Sequence, residues 1–197
     1  MLLYYPSGIH VGGGVVLSGQ GDGSALGPYS GSTCTITQGL LTDFNGDNPL
    51  QVADAYASLY GTGLPDLLAT SGDPGNGYYL DYYYAFAPCA YNQAFTIKTP
   101  TPDGTADWNQ WTLATLSDGG GMGMFLWNRS TGALYLWRGV TAHDNGDGTG
   151  TVSYTQYLIA PHWQRGQSLS TLEAANLNRD GVPDLWAVTR MASSAPT

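Results

Sequence analysis

Apolar and aromatic positions in this chain gather in short runs separated by Gly, Pro, Asn and Asp, a pattern of short strands and turns rather than of amphipathic helices. Leu67 to Thr70 is followed, after a Gly-containing turn, by the aromatic run Tyr78 to Ala85. Phe125 to Asn128 is followed in the same way by Leu134 to Arg138, and each pair predicts a β-hairpin. His143-Asp144-Asn145-Gly146-Asp147-Gly148 lies between Leu136-Trp137 and Val152-Ser153-Tyr154 and predicts a further hairpin turn. Gly12 to Ser32 and Thr99 to Asp107 predict long loops. One segment has helical signals: Asn48 is placed to cap, Pro49 sits in the first turn and Gly61 stops the run.

A repeat underlies the pattern. The segment Ala57 to Ala69 aligns without a gap on Ala175 to Ala187, 118 residues further on, with seven identities that include Leu59/Leu177, Pro65/Pro183 and Asp66/Asp184. A degenerate middle copy puts Gly121, Gly123, Met124, Phe125 and Leu126 at the places of Gly181, Pro183, Asp184, Leu185 and Trp186, so the two steps are 58 and 60 residues. A fixed period of this size in a turn-rich chain is what a propeller blade or solenoid leaves behind. The expected fold is all-β, a partial β-propeller of antiparallel four-stranded blades, with repeat parts at about 1–50, 51–110, 111–168 and 169–197. Leu2-Leu3-Tyr4-Tyr5 looks like the aromatic strand of an earlier repeat, and Asp184 to Thr189 like the first strand of a later one. The chain is therefore expected to be a piece that requires the remaining blades of a longer protein.

Composition narrows the function. The formal net charge is −9, no Lys or Arg precedes Lys98, and a surface that tracks nucleic-acid phosphates is excluded on that ground. Nearly every acid is Asp, Glu173 being the only Glu, which suits turns and metal loops better than helix faces. No stretch has the length and apolarity of a membrane span, and the first residues lack the basic start and apolar core of a signal peptide. Cys34 and Cys89 are compatible with a single disulfide or with two buried thiols.

Asn176, Asn178, Asp180, Gly181 and Asp184 stand at positions 1, 3, 5, 6 and 9 of a loop, the start of a spacing that folds oxygen ligands around calcium, with the Val182 carbonyl near position 7. The same residues also suit an Asx-rich turn without metal. In the other copies Ser58, Tyr60 and Thr62, or Leu116, Asp118 and Gly120, replace the ligands. A gapped alternative joins Asp43-Phe44-Asn45-Gly46-Asp47 to Gly63-Leu64-Pro65-Asp66 across Asn48 to Thr62, and the ungapped alignment is preferred to it.

The segment Asn176 to Leu185 resembles the integrin-like FG-GAP or VCBS repeat family, whose loop has the form D-x-N-x-D-G-x-x-D-L. The departure is Asn in place of Asp at the first position. The resemblance implies a β-propeller with calcium held by Asn176, Asn178, Asp180 and Asp184, in a secreted bacterial protein. Phe125 to Trp137 is also similar to blades of such proteins, which are multidomain and often joined to carbohydrate-related modules.

Catalytic signals are weak. No G-x-S-x-G elbow occurs, and His10, His143 and His162 are scattered. No carboxylate pair stands out for glycoside cleavage. The Gly runs at Gly12 to Gly14 and Gly119 to Gly121 suit tight turns better than phosphate cradles. Most of the six tryptophans suit packing between sheets, with an exposed aromatic binding surface as the alternative. The expectation is a non-catalytic extracellular or cell-surface module that binds calcium and recognises an extracellular protein or a carbohydrate. The alternative is part of a polysaccharide-acting enzyme.

Overall fold

The structure, a computed structural model, describes residues 2–4, 14–18, 27–28, 41–43, 45–56, 58–59, 66–87, 90–119, 121–164, 169–175, 177–178, 180 and 182–189. Thirteen strands are present among them: β1 (Leu2–Tyr4), β2 (Gly14–Ser18), β3 (Gly27–Pro28), β4 (Gln51–Asp54), β5 (Leu67–Asp73), β6 (Gly77–Ala87), β7 (Ala90–Ile97), β8 (Trp111–Asp118), β9 (Gly121–Asn128), β10 (Leu134–Asp144), β11 (Thr149–Ala160), β12 (Leu169–Ala175) and β13 (Asp184–Thr189). No α-helix occurs among the described residues, and a single 3-10 turn spans Trp108–Gln110. No helix there is long and apolar enough to cross a membrane. The hydrogen-bonded orders are β1-β2-β3, β4-β5-β6-β7-β11-β10-β9-β8 and β12-β13. The chain divides into two compact units, 1–109 with 142–152, and 110–141 with 153–197.

In the first unit, β4 to β7 form an antiparallel meander in chain order. The expected hairpin is present as β5–β6, with Leu67 opposite Tyr83 and Asp73 opposite Gly77. Gly72 has φ +102°, and a Cβ there would lie 2.1 Å from the Gly77 carbonyl oxygen, so this strand end requires glycine. Leu41, Leu67, Ala69 and Tyr83 pack together on one side of the meander, with Val52, Tyr91 and Ala94 against them. On β6 and β7, Tyr82 and Phe95 stack at 5.1 Å, an arrangement worth about 1 kcal/mol beyond the area it buries. Beside β7, the first residues of β11 pair in parallel, Thr149 with Thr96 and Gly150 with Ile97.

The helical expectation for Asn48 to Gly61 fails, because Gln51–Asp54 is strand β4. The segment only just reaches the ~12–15 residues below which an isolated helix is marginal in water, so local signals alone do not hold it helical. Val52 and Ala53 gain more by pairing with Ala69 and Leu68 than the Asn48 and Pro49 signals supply locally.

In the second unit, β8, β9 and β10 continue an antiparallel meander into β11. The expected β9–β10 hairpin is present, with Leu134 opposite Trp127. Gly119, at φ +62°, lies between β8 and β9, which pair Asp118 with Gly121, and Gly120 lies outside the described residues. One face of the meander, with Ala114, Leu116, Phe125, Trp127 and Leu134, packs against Leu172 and Ala174 of β12. Leu185 and Ala187 of β13 join this layer, while the alternate residues Trp186 and Val188 remain exposed. Trp108, Trp111, Trp127 and Trp137 are buried, as the packing expectation for the tryptophans requires, and Trp137 stacks on Tyr154 at 3.6 Å.

The turn at 143–148 is likewise present. Asn145 N–H donates to the Thr149 carbonyl at 3.0 Å, and Gly146 and Gly148 take positive φ. The short meanders β4–β7 and β8–β11 and the pair β12–β13 thus begin at the spacing of the sequence repeat.

Candidate functional site

The loops that join β4 to β5 and β12 to β13 share one contact. Asp66, the residue before β5, accepts a hydrogen bond at Oδ2 from the Leu59 amide, 2.7 Å away. Asp184, the first residue of β13, accepts at Oδ2 from the Leu177 amide at 2.8 Å. In both cases the donor lies seven residues before the acid. Leu59 and Leu177, like Asp66 and Asp184, are partners in the ungapped alignment. The same amide-to-acid contact therefore recurs in two copies. The middle copy lacks such a loop, since β8 and β9 pair with Asp118 opposite Gly121.

Within the 177–184 loop the polar side chains fold inward on the backbone. The Asp180 amide donates to Asn178 Oδ1 at 3.0 Å, and the Val182 amide to Asp180 Oδ1 at 2.7 Å. Asn178 Nδ2 donates to Asp180 Oδ2 at 2.9 Å. These are successive Asx turns, the arrangement that short polar side chains make with their own backbone. Asn178, Asp180, Val182 and Asp184 are thus brought into one loop, while Asn176 and Gly181 lie outside the described residues. Among the described residues no group of three or more histidine, cysteine or acidic side chains is arranged to hold a metal. A cation here would have to rest on two carboxylates with amide and carbonyl oxygens, a hard-oxygen donor set whose chemistry fits calcium.

Asp66 is held differently. It is buried, and Tyr82 donates to its Oδ2 at 3.0 Å. Burial pushes its carboxyl above the ordinary range, against the lowering effect of the Leu59 and Tyr82 hydrogen bonds, and Asp54 adds to the rise. The Tyr82 phenol is pushed up in turn, first by burial and then by Asp66.

The gapped alignment would bring Asp43, Asn45 and Asp47 to Asp66, and the structure does not. Tyr79 donates to Asp43 Oδ2 at 2.5 Å and receives Asn45 Nδ2 at 2.8 Å. Asp43 Oδ1 accepts from the Asn45 and Asp47 amides at 2.8 and 2.9 Å. Tyr79 and Tyr82 fall on opposite faces of β6 by strand alternation, so the Asp43 group and Asp66 contact different sides of the sheet.

Next to Asp43 lies Asp81, which no sequence motif singles out. It is 1% exposed, accepts from Thr96 Oγ1 at 2.9 Å, and its Oδ2 is buried with no hydrogen-bond partner. Burial drives its carboxyl up to about 7, and the neighbouring Asp43 contributes to the rise. The signal available in the sequence is one acid in the middle of an aromatic strand, Gly-Tyr-Tyr-Leu-Asp-Tyr-Tyr-Tyr.

An open groove of about 510 Å³ lies on the first unit between the start of β6 and the 98–106 segment. Tyr78, Asn76, Lys98, Pro100 and Thr105 contribute to its lining, which contains no carboxylate. It offers a ring face, a cation and hydroxyl and amide groups, but no acid pair for glycosidic cleavage. Of the histidines, His162 bonds the Thr131 carbonyl through Nδ1 at 3.2 Å, and His10 lies outside the described residues, as do Cys34 and Cys89.

Comparison of the chain with family models, with curated proteins and with solved structures found no match.

Proposed function

We propose that this chain is a non-catalytic, calcium-binding recognition or scaffold module of a larger secreted protein, built from β-propeller blades of the FG-GAP or VCBS type. The observation that carries the reading is the recurrence of the loop contact: the amide seven residues before Asp66 and before Asp184 meets that acid in both copies. Within the eight-stranded sheet the runs β4–β7 and β8–β11 each have four strands and repeat length, and the pair β12–β13 follows, which supports a reading as blades. In this reading calcium is held by Asn176, Asn178, Asp180 and Asp184 through side-chain oxygens and by Val182 through its carbonyl. The ion would supply charge compensation for Asp180 and Asp184 and would draw the loop tight; it performs no chemistry on a ligand. With only two carboxylates the affinity is modest, in keeping with extracellular modules, whose dissociation constants lie at about 10⁻⁴–10⁻³ M.

The Tyr78–Lys98 groove is the surface we assign to recognition of an extracellular carbohydrate or protein segment. An aromatic ring beside hydroxyl, amide and ammonium groups suits a polar ligand, and a lining without carboxylates favours binding over cleavage. The test is thermal unfolding of the chain in excess calcium and in chelator. A ligand that binds only the folded state raises apparent stability, by about 2.7 kcal/mol at a hundredfold excess over its dissociation constant. The expected result is a calcium-dependent rise that Asp180→Ala removes. An unchanged midpoint in the unaltered chain would reduce the loop to a structural turn.

A further inference from the structure

We propose that Asn145-Gly146, in the turn between β10 and β11, is a self-modifying site: the Gly146 nitrogen closes on the Asn145 side chain, expels ammonia and leaves an isoaspartyl linkage in the backbone. This inference is independent of the calcium reading of the 176–184 loop and of the groove at Tyr78 and Lys98.

The sequence contains three Asn-Gly pairs, Asn45-Gly46, Asn76-Gly77 and Asn145-Gly146. In each the glycine has no side chain to hinder the approach of its nitrogen to the preceding carboxamide, so local sequence ranks the three alike. The folded contacts separate them.

At 145–146 both reacting groups are held. The Gly146 amide donates to Asp144 Oδ1 at 2.7 Å, so a carboxylate stands within reach of the proton that the nitrogen must lose in order to attack. Asp144 Oδ2 accepts from the Tyr84 hydroxyl at 2.5 Å, and Tyr84 is buried, which fixes the carboxylate to β6. The Asn145 carboxamide donates through Nδ2 to Thr149 Oγ1 at 3.0 Å, and that hydroxyl donates in turn to Asp147 Oδ1 at 2.6 Å. Asp147 Oδ1 also accepts the Thr149 amide at 3.0 Å. Asn145 and Gly146 are exposed, so the water that the second step consumes has access.

The other two pairs lack this arrangement. The Gly46 amide donates to the Asp43 main-chain carbonyl at 3.1 Å, which is not a base, and Asn45 Nδ2 is tied to the hydroxyl of buried Tyr79 at 2.8 Å. At 76–77 the neighbouring Asp73 carboxylate takes the Gly75 and Asn76 amides, each at 2.7 Å, rather than the amide of Gly77. Of the three glycines, Gly146 is the one whose amide donates to a carboxylate.

The reaction balances with water as the co-reactant. Asp144 takes the proton as the Gly146 nitrogen bonds to Asn145 Cγ; the Cγ–Nδ2 bond breaks, and Nδ2 leaves as ammonia with that proton. Water then opens the cyclic imide. Attack at Cγ gives aspartate, and attack at the main-chain carbonyl carbon leaves the chain running through the former side chain, as isoaspartate. The isoaspartyl product adds one backbone carbon and one negative charge to a turn closed by the contact of the Asn145 amide with the Thr149 carbonyl, next to the pairing of Thr149 with Thr96.

The experiment is peptide mapping by mass spectrometry, with chromatographic separation of aspartyl from isoaspartyl peptides, on the full chain incubated at neutral pH both folded and in concentrated urea. In the folded chain Asn145 should convert about tenfold or more faster than Asn45 and Asn76, below the range that a well-positioned base supplies. In urea the three rates should converge. Asp144→Asn keeps an acceptor oxygen and removes the base, so it should slow Asn145 in the folded chain and leave its rate in urea unchanged. A folded chain in which Asn45 or Asn76 converts as fast as Asn145, or in which Asn145 converts only in urea, would overturn the proposal, and this comparison needs no variant. A folded Asp144→Asn chain with an unchanged Asn145 rate would overturn it as well.

Discussion

The loops ending at Asp66 and at Asp184 begin from one sequence pattern and differ in what surrounds them. Both acids take the amide of a leucine seven residues earlier, yet Asp66 is buried under Tyr82, while Asp184 is only half-buried and its loop stands open around Asn178 and Asp180. In the first loop Ser58 takes the place of the first ligand and the acid's remaining capacity goes to a phenol. In the second, short oxygen-bearing side chains are retained at alternate positions. One repeat position therefore serves as an internal peg in one copy and as part of an oxygen-lined loop in the other. What the position does depends on its neighbours, not on the recurring amide contact.

The largest effect that separates the two should come from Asp66→Ala, which strands the Leu59 amide and the Tyr82 hydroxyl in the interior. Urea unfolding at neutral pH should show a loss of about 2–3 kcal/mol. Tyr82→Phe removes one hydrogen bond from the same carboxylate and should cost about 1–2 kcal/mol in that assay. Asp184→Ala in chelator should cost less than about 1 kcal/mol, because water can replace it at an exposed loop, while the calcium response disappears. The smallest difference concerns pH. Burial raises the Asp66 carboxyl, so its stabilisation is present below the ordinary carboxyl value and fades as pH rises through the folded one. Asp66→Asn should flatten that component of the midpoint-versus-pH curve, and an unchanged curve would show that the buried peg is not titrating.

Much of the β structure was legible in local sequence. The hairpins β5–β6 and β9–β10 and the turn at 145–148 follow from aromatic runs bounded by Gly and Asn, because turn chemistry is set by residues at the turn itself. Strand β4 was hidden, since four residues beside Asn48 and Pro49 have no periodicity to set against a capping signal, and their pairing with β5 is a tertiary fact. The parallel contact of β11 with β7 was hidden for the same reason: it brings Thr149 to Thr96 across 53 residues of chain.

In the candidate loop Asn178 and Asp180 meet through their side chains, while Asp184 accepts from the Leu177 and Asn178 backbone amides. The burial of Asp81 was not read, although a lone acid within the Tyr78 to Tyr84 strand is the kind of residue that needs a buried partner.

In the proposed reading the open loop, not the buried one, is the cation site. Calorimetric titration of calcium into the chelator-stripped chain tests this most directly, carried out on the unaltered protein and on Asp180→Ala and Asp66→Asn. One saturable binding event per chain is expected, persisting in Asp66→Asn and absent in Asp180→Ala. Absence of binding in the unaltered chain, or binding abolished by Asp66→Asn and retained in Asp180→Ala, would contradict it.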